Sequence, residues 1–285
     1  MHPQERETTD RSPFELSAKK SLGQHFLRSK KVLRVVAEAA KLCPNELVLE
    51  IGPGEGTLTQ VLLELGVIVV AVETDSRAVE LLHKRFKDAI RAQRLLLIEG
   101  DIRETVVQQK IFHDQFLGNK PYKLVANIPY YITGYLFRLF LEQLTQPEQI
   151  VFLIQHEVAE QITSVNGKEG LLSLSIKTYG TPLYIAKVGR NEFVPPPKID
   201  SAIISIRDIH QPFLNTAASE HYFNVLKAGL SSKRKMLIGN LTSVLHIPRK
   251  DIEKIFTAIG IPTTVRGEDL GVAVWQSLAA HLEKT

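Results

Sequence analysis

Glu46-Leu47-Val48-Leu49-Glu50-Ile51-Gly52-Pro53-Gly54-Glu55-Gly56, running into the helical stretch Thr57–Leu65, is the part of this chain that decides its fold. A short apolar run, a glycine-rich turn and a helix, in that order, open a βαβ unit. The alternation continues downstream. Val67–Val72 is a strongly β-branched strand, and Asp75 caps a helix running to about Phe86, with Ala78, Val79, Leu81, Leu82 and Phe86 as its apolar positions. Leu95–Ile98, Tyr122–Ala126 and Gln149–Ile154 read as the third, fourth and fifth strands. Helical patterns lie near Thr133–Leu144 and His156–Ser164, and Ser201–Arg207 is a further strand after Pro195-Pro196-Pro197. This order predicts an α/β, Rossmann-like domain with a mostly parallel sheet covered by helices on both faces.

Beyond Gln211-Pro212 only helical patterns remain, around Ser219–Leu230, Lys233–Leu245, Arg249–Ile259 and Val272–Leu282. The predicted division is therefore a disordered segment over 1–17, the α/β domain over 18–210 and a small all-helical domain over 211–285.

The 285 residues are 44% apolar and 23% charged, enough to bury a core without staples. The single cysteine, Cys43, rules out a disulfide framework and a Cys-rich metal site. Beside Pro44, at a helix end, it reads as a buried structural thiol. The histidines are scattered, and His156-Glu157 lacks a second zinc ligand because position 160 is Glu; no metal is expected. No apolar run approaches the ~18 residues of a membrane span. The first twenty residues have no apolar signal core and carry Glu5, Glu7, Asp10 and Glu15, so a cytoplasmic protein is expected.

Net charge is +4, and its distribution is uneven. From His221 to Lys250 there is no acidic residue but six basic ones: Lys227, Lys233, Arg234, Lys235, Arg249 and Lys250. A second cluster, Lys19, Lys20, Arg28, Lys30 and Lys31, lies near the start. Localised positive charge is the footprint of a polyanion binder, although one such cluster alone would equally be a solvated basic face.

The glycines of the opening turn fall as G-x-G-x-G, one residue short of the dinucleotide fingerprint, and Pro53 removes a backbone donor that a pyrophosphate would need. Both departures favour a nucleoside without phosphates. Glu73 ends the second strand, where an acidic residue can bond both ribose hydroxyls. Asp101 follows the third strand and could accept an adenine N–H; by itself it reads equally as a turn or helix cap after Gly100. S-adenosylmethionine is a ligand of this kind. The fourth strand is followed by Asn127-Ile128-Pro129-Tyr130. That tetrapeptide suits methylation of an exocyclic amine, whose lone pair is delocalised into its ring. The Asn127 side-chain carbonyl and the Ile128 backbone carbonyl can each accept one N–H, Pro129 stiffens the aim, and Tyr130 offers a stacking face. A strand ending in a proline turn would account for the tetrapeptide alone.

Together these residues resemble the small-subunit (16S) ribosomal RNA adenine N6,N6-dimethyltransferase family, the KsgA type. Five segments carry the likeness: Leu22–Leu27, Glu50–Gly56, Asn127–Tyr130, Phe193–Ser201 and Ser231–Leu237, spanning roughly 19–270 in the family's order. The resemblance implies S-adenosylmethionine as methyl donor, with His25, Leu27, Gly52, Glu73, Asp101 and Asn127 as donor-binding positions. It implies Tyr130 and Phe193 as the aromatic faces that hold the extruded adenosine. It further implies two adjacent adenosines near the 3′ end of small-subunit rRNA as target. The acid-free His221–Lys250 segment is expected to carry the RNA contacts, with Lys233, Arg234 and Lys235 on phosphates, and the chain is expected to act as a monomer. Family members often carry Asn where His25 and Tyr131 stand here. Two other readings share these motifs: a large-subunit (23S) dimethylase of the antibiotic-resistance type, and a non-catalytic rRNA-binding assembly factor. Ser231–Leu237 within a helical tail favours the small-subunit enzyme over the first, and intact Glu73, Asn127 and Tyr130 speak against the second.

Overall fold

The computed structural model describes residues 16–19, 22–113, 115–143 and 145–283. Its strands are β1 (Phe26–Leu27), β2 (Leu47–Ile51), β3 (Ile68–Glu73), β4 (Leu95–Glu99), β5 (Tyr122–Asn127), β6 (Gln149–Gln155), β7 (Thr181–Val188), β8 (Phe193–Val194) and β9 (Ser201–Arg207). The chain divides into two compact units, one comprising residues up to Tyr131 with Gly189–Lys198, the other Ile132–Val188 with Ile199 onward.

In the first unit β2, β3, β4 and β5 are parallel, in the order β4-β3-β2-β5. Val48, Leu49, Val69, Val70, Leu124 and Val125 are all fully buried. Near-continuous apolar runs of this kind belong to parallel strands covered on both faces. All four strands point their C-terminal ends the same way, and the candidate site residues sit at or just past those ends. β1 pairs antiparallel with β8, placing Leu27 opposite Phe193 and Phe26 opposite Val194.

The second unit departs from the expected parallel pattern. β9 runs antiparallel to both β6 and β7. A parallel return needs a crossover, usually helical, and the chain between β7 and β9 contains no α-helix. β7 itself was not anticipated: its mostly half-buried residues give no clean alternation, and Pro182 is tolerable because β7 pairs with β9 alone. Helix Leu171–Tyr179 was missed as well.

After residue 210 every described regular element is helical: Thr216–Gly229, Leu237–Leu245, Arg249–Ile259, a 3-10 turn at Gly267–Asp269, and Val272–Leu282. Trp275 is fully buried among them, and a Cβ on Gly229 would come within 2.4 Å of its ring. Compactness nevertheless divides the chain elsewhere than residue 210. The Thr178 hydroxyl lies 2.9 Å from the Tyr222 hydroxyl, and the Tyr179 and Phe223 rings stack at 6.2 Å, so helices 171–179 and 216–229 share one core.

Three local expectations are corrected. Lys233, Arg234 and Lys235 occupy a turn, closed by Lys235 N–H to Ser232 O at 3.2 Å, and the helix starts only at Leu237. Three cations inside a first turn would oppose the positive end of the helix dipole. Cys43 is exposed, not buried, because it lies in a turn past helix Lys30–Ala39, where its N–H donates to Glu46 Oε2 at 2.9 Å. Of the segment expected to be disordered, residues 1–15 lie outside the described residues, whereas Leu16 and Ser17 are held: Leu16 N–H donates to Glu55 Oε1 at 2.7 Å, and Arg77 donates to Ser17 O at 3.3 Å. Among the described residues no helix is long and apolar enough to cross a membrane.

Candidate active site

The loop after β2 turns on three left-handed glycines, Gly52 (φ +67°), Gly54 (φ +55°) and Gly56 (φ +77°). They are not equivalent. A Cβ on Gly54 would lie 3.0 Å from Phe26, and one on Gly56 would lie 2.5 Å from Phe86, so those two are held by packing. A Cβ on Gly52 would meet nothing within 4 Å. At Gly52 the loop therefore borders open space where a ligand can approach the backbone.

Glu73, the last residue of β3, is buried and braces this loop. Its Oε2 accepts the Gly54 N–H at 2.9 Å and its Oε1 accepts the Asp75 N–H at 2.9 Å. Burial pushes its carboxyl pKa up, while those backbone donors pull it down. Each oxygen retains acceptor capacity for a vicinal diol. Behind the loop, fully buried Glu50 accepts the Thr59 hydroxyl at 2.7 Å. Burial pushes its pKa up to about 8, so it is largely protonated at neutral pH. Asp101, past β4, grips Arg103: Nε lies 3.0 Å from both carboxylate oxygens, Nη2 is 2.5 Å from Oδ2, and the Arg103 N–H reaches Oδ1 at 2.9 Å. That guanidinium holds the Asp101 pKa below the usual carboxylate range. The turn reading of Asp101 is thus realised, and an exocyclic amine beside it would share oxygens that Arg103 already engages.

These residues fit S-adenosylmethionine: an open glycine at the sheet's C-terminal edge, a buried acid for a ribose and a second acid for an adenine amine. Pro53 offers no donor for a phosphate, and this donor has none.

Asn127 closes β5. Its Nδ2–H donates to the His25 carbonyl at 3.3 Å, which engages one of the two amide hydrogens and identifies Oδ1 as the acceptor end of the side chain. Tyr130 opens a 3-10 turn, Tyr130–Ile132, and stacks on His25 at 6.2 Å with 20° between the planes. His25 Nδ1 lies 2.8 Å from Pro195 O; a carbonyl only accepts, so Nδ1 carries the proton. β1 and β8 thereby bring His25, Leu27 and Phe193 to the same end of the sheet as Asn127 and Tyr130. Phe193 does not offer the open aromatic face that the resemblance implies. It is 2% exposed, because pairing with Leu27 turns it inward and turns its neighbour Val194 outward.

The clamp on the N-terminal segment escaped the sequence. Buried Asp75 caps its helix through Arg77 N–H, yet it also accepts Lys19 Nζ at 3.2 Å and Gln24 Nε2 at 3.1 Å. Buried Glu55 holds Arg28 at 2.8 Å and the Leu16 N–H. Acids beside a glycine turn facing an upstream basic cluster were the available signal. Two of the five upstream cations, Lys19 and Arg28, are thus paired internally; Lys20 lies outside the described residues, and Lys30 and Lys31 are exposed. Lys233, Arg234 and Lys235 are all exposed. Among the described residues, no three His, Cys, Asp or Glu side chains gather as a metal site.

Known proteins resemble this chain along nearly its whole length. It is 39% identical over 266 residues to the ribosomal RNA small subunit methyltransferase A of Dehalococcoides mccartyi, covering 93% of this chain and 88% of that one. Against the protein of the same name from Clostridium botulinum, identity is 34%, covering 93% and 94%. A dimethyladenosine transferase from Plasmodium falciparum superimposes with a TM-score of 0.76 at 25% identity, over 91% of this chain and 98% of that one. The 23S rRNA methyltransferase ErmE gives 0.70 at 26%, over 90% and 99%. With its family model matched over residues 15–282, the chain belongs to the ribosomal RNA adenine dimethylase family.

Proposed function

We propose that this protein transfers methyl groups from S-adenosylmethionine to N6 of two adjacent adenosines near the 3′ end of small-subunit rRNA, dimethylating each during ribosome biogenesis. It acts in the cytoplasm as a monomer, without a metal. The observation that carries this reading is the Asn127 amide at the end of β5, which donates one N–H to the His25 carbonyl and so is held with its oxygen as the acceptor end.

S-adenosylmethionine, when bound, supplies an electrophilic sulfonium methyl. The chain does the rest by positioning. Glu73 holds the ribose hydroxyls and Asp101 the adenine amine, with Gly52, His25 and Leu27 lining the donor. Asn127 Oδ1 and Ile128 O accept the two N6 hydrogens of the target base, rotating the nitrogen lone pair out of conjugation and toward the methyl group. Tyr130 stacks on the extruded base, a contact worth about 1–3 kcal/mol against the few kcal/mol of unstacking. Phe193, buried and paired with Leu27, supports the donor side of the site from within. No strong base is needed, because the methylated aminium loses its proton to water. Lys233, Arg234 and Lys235 hold phosphates.

The likeness to curated small-subunit enzymes supports this target over the large-subunit one. Modified nucleotides mapped after incubation with labelled donor and separately prepared subunits test it. Dimethyladenosine in the small-subunit RNA alone is expected; label confined to the large subunit would establish the 23S reading, and no label would leave an assembly factor.

A further inference from the structure

Tyr131 directly follows Asn127-Ile128-Pro129-Tyr130, and it is 59% exposed. An exposed tyrosine on a short turn needs a reason to hold its place, and two contacts supply it. Its ring stands beside Gly23, where an added Cβ would meet Cδ1 and Cε1 at 3.6 Å, ordinary van der Waals distance. The Arg103 guanidinium lies over the ring at 6.0 Å from the centroid, within cation–π range. Arg103 cannot swing freely, because Asp101 grips it through Nε and Nη2. Its side chain is nonetheless 53% exposed. A ring and a guanidinium plane, both fixed and both open to solvent, thus stand one residue from the stacking face for the target base.

From this placement we infer that Tyr131, with Arg103 beside it, is the stacking step for the nucleotide next to the target adenosine. The inference rests on the function proposed above and deepens it. Single-stranded RNA is recognised by splayed bases laid on aromatic rings and arginine planes. Consecutive stacking residues, Tyr130 then Tyr131, match consecutive nucleotides. The neighbour of one target adenosine is the other target adenosine, so Tyr131 holds the second substrate base while the first is methylated. Arg103 adds a positive charge for the intervening phosphate. It also ties this step to Asp101, on the donor side of the site.

The test compares wild type, Tyr131→Phe and Tyr131→Ala on unmethylated small subunits. It reads KM for subunits, kcat, donor affinity by calorimetry, and the occupancy of each adenosine. The expected result is a KM raised about tenfold or more in Tyr131→Ala, on the scale of a lost base–aromatic stack. Donor affinity and kcat should stay at wild-type values, which also certifies the fold, and Tyr131→Phe should behave as wild type. An unchanged KM in Tyr131→Ala overturns the inference. A fall in kcat alone overturns it as well, since Tyr131 would then serve the chemistry. Equal defects in Phe and Ala would implicate the hydroxyl and exclude stacking. Wild-type protein that leaves the subunits unmethylated would overturn the proposed function itself, an outcome separable from all of these.

Discussion

Glu73 Oε2 accepts the Gly54 N–H at 2.9 Å, so the acid at the end of β3 and the glycine loop after β2 form one braced unit. The other oxygen of the same carboxylate holds the Asp75 N–H, and Asp75 in turn holds Lys19 and Gln24 of the N-terminal segment. The donor-binding edge is therefore one connected network, and a substitution in it is felt at more than the atom removed.

Glu73→Ala is expected to weaken S-adenosylmethionine binding by about 1–3 kcal/mol, the scale of a hydrogen bond to a charged group. It also strands two buried backbone donors, so the variant should melt earlier than wild type. Glu73→Gln, which keeps one acceptor, should recover part of the melting temperature but less of the donor affinity. Calorimetry showing unchanged donor affinity in Glu73→Ala would remove this residue from the cofactor site.

Asn127→Ala should slow methylation ~10²–10³-fold at saturating donor and RNA, the effect of deleting one preorganised polar group at the reacting centre. RNA affinity should change far less, because stacking and phosphate contacts remain. Single-turnover rates would decide it, and a loss under about tenfold would refute lone-pair orientation by Asn127.

Much of this architecture was legible locally. Helices Arg249–Ile259 and Val272–Leu282 begin and end where their apolar periodicity and their flanking Pro248, Gly260 and Gly271 place them. β2 and its glycine loop declared themselves because apolar run, turn and helix are contiguous. What stayed hidden depends on partners far away in the sequence. The antiparallel course of β9 follows from a return segment without an α-helix. The inward turn of Phe193 follows from pairing with Leu27, 166 positions earlier in the chain by their numbers. Lys233–Lys235 looked helical by continuity, yet charge at a helix start argued for the turn, and that argument was available in the sequence.

Changing Lys233, Arg234 and Lys235 together to Gln should weaken subunit binding and flatten its salt dependence. Each lost phosphate contact on a single strand removes about 0.7 from the slope, so three remove up to about 2. All three side chains are exposed and lie in a turn, so fold and donor affinity should not move. Wild-type binding at both low and high salt would transfer the RNA surface elsewhere, with exposed Lys30 and Lys31 the next to examine.

Glu50 gives the fold a pH dependence whose sign can be worked out. Its pKa is pushed up from 4.5 to about 8 by burial. Below 4.5 the folded and unfolded chains both hold the proton and the group contributes no difference. As pH rises from there toward 8, the unfolded chain releases the proton while the folded chain retains it, so stability declines across that window and levels off above it. Glu50→Gln cannot ionise and still offers an oxygen to the Thr59 hydroxyl, so it escapes the decline. The melting temperature of Glu50→Gln relative to wild type should therefore climb between about pH 5 and pH 8. Because the comparison is between two proteins at each pH, titration of the remaining carboxylates largely cancels, Glu73 excepted. Glu73 is coupled to Glu50: its charge helps to raise the Glu50 pKa, a contribution already contained in the shift to about 8 and lost with the carboxylate in Glu50→Gln. A melting difference that stays flat across this range would mean that Glu50 is ionised in the folded protein, with a counter-charge or water reaching its buried Oε1.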